Sequence, residues 1–63
     1  MTNREVVLKA FDAMGETSVP RVALVHAISQ RQVVNELLAT QLVDQAVKDG
    51  LLTVDPLGMV RKA

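Results

Sequence analysis

Sixty-three residues with no cysteine and a single aromatic side chain, Phe11, describe one domain, residues 1–63, whose core has to be aliphatic. Seven basic and seven acidic side chains cancel to a formal net charge of zero, which argues against a strong non-specific polyanion binder. The missing cysteines remove disulfides and thiolate metal sites, and no apolar run approaches the ~20 residues needed to span a bilayer.

The first element is a helix. Thr2-Asn3-Arg4-Glu5 fits a capping box, in which the Thr hydroxyl and the Glu carboxylate each satisfy a backbone N–H at the helix start. Val6, Val7, Ala10, Phe11 and Met14 then form one apolar stripe at helical spacing, and Gly15 supplies a left-handed stop. Glu16-Thr17-Ser18-Val19 is a connector able to pair as a short strand. Thr17 or Ser18 is placed to cap a second helix, whose first turn tolerates Pro20.

The second helix is expected from Pro20 to about Ala27 or Ile28. Val22, Ala23, Leu24, Val25, Ala27 and Ile28 surround it almost completely, so it is either buried on most sides or part of an association surface. His26 stands alone, with no second ligand nearby, and reads as a packing or surface residue rather than a metal ligand.

From Ser29 to Asp49 two apolar sets, Val33-Val34-Leu37 and Leu38-Ala39-Leu42-Val43-Ala46-Val47, do not share one helical stripe. Either the chain turns between Ser29 and Thr40, or a long helix buries one face in its own core and another in a partner. Gly50, with Lys48 in the preceding turn, ends the segment. Asp55-Pro56-Leu57-Gly58 then has the preferences of a type I turn, and the short runs Leu51 to Val54 and Met59 to Lys62 can pair across it as a β-hairpin. Its tip and the trailing Arg61 and Lys62 are expected to be free to reach a partner.

Val22 to Leu37 resembles the helix-turn-helix pattern of bacterial and phage repressors. Ala23 stands where the first helix needs a small residue, Ala27 and Ile28 at the turn, and Ser29 and Val33 in the second helix. With the first helix and the hairpin, nearly the whole chain resembles the winged helix-turn-helix superfamily. The fold this implies is mainly α, a three- or four-helix winged helix-turn-helix with a C-terminal hairpin. The implied function is a small sequence-specific duplex-DNA-binding transcriptional regulator. In this register Ser29 caps the reading helix, Gln30, Arg31, Gln32 and Asn35 enter the major groove, and Arg61 and Lys62 meet phosphates.

The stretch from Ser29 to the wing is about two helical turns longer than a compact reading helix needs. A second register starts the helix near Asn35 or Thr40 and turns Thr40, Gln41, Asp44, Gln45 and Lys48 outward, which places Asp44 among phosphates.

The competing reading is an adaptor or inhibitor on the same fold that binds a protein through helix 2 or through Val33 to Val47. An enzyme is not expected, because the sequence offers no paired carboxylates, nucleophile–His arrangement, phosphate loop or metal spacing. Neither a cofactor nor a metal is expected. The high aliphatic content favours a homodimer, since association removes further apolar area from water. The N-terminus lacks a signal-peptide pattern, so a cytoplasmic protein without a membrane partner is expected.

Overall fold

The chain turns between Ser29 and Thr40, one of the two alternatives its apolar pattern leaves open, and Val33, a β-branched residue, closes the second helix there in the left-handed conformation. The computed structural model describes residues 3–63, so Thr2 of the capping box lies outside the described residues. In chain order the elements are α1 (Asn3–Ala13), β1 (Ser18–Pro20), α2 (Arg21–Gln32), α3 (Glu36–Lys48), β2 (Leu52–Val54) and β3 (Met59–Lys62). The chain is mainly helical, with a small antiparallel sheet of three strands.

Two of the helices end as their glycines dictate. Gly15 follows α1 at φ 70°, and its N–H donates to the Asp12 carbonyl at 3.1 Å. Gly50 follows α3 at φ 80°. The Gly50 N–H meets the Val47 carbonyl at 3.1 Å and the Leu51 N–H meets Ala46 at 3.0 Å, the paired bonds that satisfy the last carbonyls of a helix.

The second helix runs a full turn beyond Ala27 and Ile28, because no glycine or proline interrupts the chain between Pro20 and Gly50. It ends at Val33, whose N–H returns to the Ser29 carbonyl, and Asn35 two residues on caps the next helix. Neither Thr17 nor Ser18 caps α2. The backbone stays extended through Pro20, at φ −61° and ψ 139°, so those two side chains lie too early in the chain. Of the two alternatives for the second helix, burial on most sides does not hold: Leu24, Val25 and Ile28 are buried, whereas Val22 is 77% exposed and His26 is exposed.

The sheet order is β1–β3–β2, which places β3 between the two other strands. Val60 pairs with Val19 on one side and Val54 on the other, and Arg61 with Ser18 and Thr53. Because side chains alternate along a strand, Val19, Leu52 and Val60 point at the helices while Ser18, Thr53 and Arg61 share the solvent face. The hairpin turn is as read. The Gly58 N–H closes on the Asp55 carbonyl at 3.0 Å, Gly58 takes φ 82°, and one Asp55 carboxylate oxygen accepts from the Leu57 and Met59 N–H groups at 2.9 Å each.

One core joins these layers. Val7 and Phe11 of α1, Leu24 and Ile28 of α2 and Val43 of α3 pack over Val19, Leu52 and Val60 of the sheet. Every buried side chain among the described residues is hydrophobic. Each large one contributes about 1.5–3 kcal/mol of burial.

Candidate nucleic-acid interface

The chain turns from α2 into α3 over Val33, Val34 and Asn35. Asn35 begins α3 by accepting the Leu38 N–H on its side-chain oxygen at 2.8 Å, which satisfies one of the unpaired donors of the first turn. Ala39, Val43 and Ala46 hold the inner face of α3 in the core. Helical spacing then turns Leu37, Gln41, Asp44 and Lys48 outward, with Gln45 beside them. All five are exposed, and Thr40 is half-buried, its hydroxyl donating to the Glu36 carbonyl at 2.8 Å.

Arg21 ties three elements together. Its backbone N–H donates to the Gly58 carbonyl of the hairpin turn at 3.0 Å, and its guanidinium forms an ion pair with Asp44 of α3. The hairpin turn, the start of α2 and the middle of the outer face of α3 therefore meet on one side of the molecule. The carbonyl of Gly58 takes the place of a side-chain cap at α2. Gln45 is partly engaged, since its amide donates to the Asp49 carboxylate at 2.9 Å. Charge on this side is nearly balanced: Arg21 and Asp44 neutralise each other, and α3 carries Glu36 in its first turn and Lys48 in its last.

The structure separates the residues of the first register. Ser29 lies inside α2 and caps nothing; its hydroxyl donates to the Val34 carbonyl at 2.5 Å. Gln30, Arg31 and Gln32 form the last turn of α2 rather than the outer face of a second helix. Asn35 is at the start of α3 with its oxygen already committed to Leu38. The second register has the right boundary, and Thr40, Gln41, Gln45 and Lys48 all lie on α3.

Arg61 and Lys62 do not trail freely. Both belong to β3, three or so residues from the turn and hence about 10 Å along the strand from the tip. Lys62 is in an ion pair with Asp12 of α1, because its register partner is the inward-facing Leu52. Arg61 is exposed on the solvent face of the sheet. Together with Phe11, Asp12 and Glu16 they line an open cleft of about 570 Å³ at the end of α1, and its lining mixes both signs of charge.

Arg21 had no signal in the sequence, since its partner Asp44 is 23 residues away and only the fold brings them together. Among the described residues no three His, Asp or Glu side chains are grouped to hold a metal ion, and no helix is long and apolar enough to cross a membrane. No family model, curated protein or solved structure matches this chain.

Proposed function

We propose that this chain is a small winged helix-turn-helix regulator, cytoplasmic and homodimeric, in which α3 reads duplex DNA and the β2–β3 hairpin is the wing. The order of elements and the β1–β3–β2 sheet fit that plan. The observation that carries the reading is the double attachment of Arg21, which presents the outer face of α3 beside the wing turn and the N-terminus of α2. Gln41 and Gln45 have the donor and acceptor pair that matches adenine in the major groove, and Lys48 suits guanine or a phosphate. The N-terminus of α2 favours a phosphate through its aligned peptide dipoles. Pairing of Asp44 with Arg21 removes the repulsion that a bare carboxylate would exert on the DNA backbone.

With so few free cations on this side, affinity comes from base contacts more than from phosphate neutralisation, and its salt dependence is shallow. Fluorescence anisotropy on mixed genomic duplex fragments, followed by selection of a preferred site, tests this. Gln41→Ala and Lys48→Ala are expected to weaken binding to the selected site, while Gln30→Ala and Gln32→Ala leave it unchanged.

One observation favours a protein partner instead. Leu37, 69% exposed, begins the outer stripe of α3 where a base-edge reader needs a polar group, and Leu57 at the wing tip is 87% exposed. Failure to bind any duplex at low salt would replace the DNA reading with this one.

A further inference from the structure

Among the described residues Val33 is the one non-glycine with positive φ, at φ 52° and ψ 48°. From this turn we infer that two copies of the chain exchange α3, β2 and β3, forming a domain-swapped dimer in which α2 and α3 of each chain join into one helix. The inference deepens the homodimer part of the proposed function and does not depend on DNA.

The turn is poorly suited to staying closed. A β-branched side chain in the left-handed region crowds its own backbone, and Val33 is 91% exposed, so packing returns nothing for that strain. The other tight turns of the chain place glycine at positive φ, namely Gly15, Gly50 and Gly58. Straightening the turn moves Val33 into the right-handed region, where its side chain no longer meets that crowding.

The local preference that opposes a fused helix is the Asn35 cap, whose bond from the Leu38 N–H is given up when the two helices join. Residues 21–49 contain neither glycine nor proline, and the fused helix from Arg21 to Lys48 would be about 42 Å long. The backbone groups that the turn satisfies locally, such as the Val34 N–H on the Ser29 carbonyl, find helical partners in the straight form. Short hinges under strain are the usual origin of exchanged dimers.

The exchange keeps the core. All contacts of α1, β1 and α2 with α3 and β3 are remade between chains, so Val19 still pairs with Val60 and Lys62 still meets Asp12, now of the second copy. The new contact lies where the two hinges run side by side. There Val33 and Leu37, four residues apart on one helical stripe, gain the apolar neighbours they lack in the closed chain.

Ser18 and Arg61 are direct partners on the solvent face of β1 and β3, within the reach of a disulfide, and lie on opposite sides of the hinge. The double variant Ser18→Cys/Arg61→Cys is to be warmed at millimolar concentration, diluted to low micromolar, oxidised and run on a non-reducing denaturing gel. An exchanged dimer gives a covalent dimer, and a closed chain gives a monomer with an internal disulfide. The expected result is a covalent dimer whose fraction rises with the initial concentration and falls at least ten-fold when Val33→Gly or Val33→Asn is added, since both residues tolerate the left-handed turn. Should the glycine variant fail to fold by circular dichroism, the asparagine variant decides. Internal disulfides at every concentration overturn the exchange; sedimentation as a dimer under those conditions leaves the homodimer standing, and sedimentation as a monomer removes both. A covalent dimer unaffected by both Val33 variants overturns the strained turn as its cause.

Discussion

The guanidinium of Arg21 is paired with the carboxylate of Asp44, and the pair crosses from the first residue of α2 to the centre of the outer face of α3. Both side chains remain partly open to solvent, at 35% and 54% exposure, so the pair adds little to stability. Its effect is on the field of the surface, where one cation and one anion are withdrawn from whatever approaches α3.

Asp44→Ala therefore separates stability from binding. Its unfolding free energy is expected to stay within about 1 kcal/mol of the parent, as for other exposed pairs. Freed Arg21 becomes available to a phosphate, so the logarithmic salt slope of DNA binding steepens by about 1 and affinity rises at low salt. Anisotropy titrations at several salt concentrations check both.

Val33→Gly is expected to stabilise the closed chain by about 1 kcal/mol. It removes the strain of a β-branched residue in the left-handed region, and that gain outweighs the backbone entropy glycine adds to the unfolded chain. Urea unfolding at low protein concentration should show a higher midpoint with an unchanged slope. An unchanged or lower midpoint would remove the argument that this turn is strained.

Asn35→Ala tests which role Asn35 has. Loss of the bond to the Leu38 N–H is expected to cost about 1 kcal/mol of stability. DNA binding below the unfolding transition should be unchanged, in contrast to a loss of about 1–3 kcal/mol for Gln41→Ala at its preferred base. Equal losses of binding for the two variants would restore Asn35 as a reader.

Gly58→Val is expected to destabilise by about 1–3 kcal/mol, because a β-branched residue is strained at φ 82°. The site has open space for a side chain, so the loss is one of backbone conformation and not of packing. Hydrogen exchange at the Arg21 amide should accelerate with it, as that N–H depends on the Gly58 carbonyl. Thermal unfolding and amide exchange measured on the same sample give both readings.

Where a residue type admits only one backbone role, the sequence was a sufficient guide. Gly15 and Gly50 stop their helices, Asp55-Pro56-Leu57-Gly58 turns, and Val6, Val7, Ala10 and Phe11 face inward as their spacing requires. The end of α2 was not legible because its left-handed position is held by valine, which carries no stop signal. With that boundary displaced, Gln30, Arg31 and Gln32 moved from the face of one helix to the end of another. Lys62 was misplaced for a different reason: its freedom depended on strand register, and pairing opposite Leu52 turned it toward Asp12. The contact of Arg21 with Asp44 is tertiary and has no local trace.

The position of β3 has a consequence for how the chain acquires its structure. It is the middle strand of the sheet and also the last of the three to leave the ribosome. Until Met59 to Lys62 have emerged, β1 and β2 have no strand to pair with, and Val60 is missing from the core that holds Val19 and Leu52. The helices are built from near neighbours and can form early, but the sheet joins residues some forty positions apart, which slows the closing step relative to an all-helical chain of this size. A nascent chain halted before Met59 would thus expose two unpaired strands, and it is this intermediate, rather than the finished protein, that is most prone to aggregate.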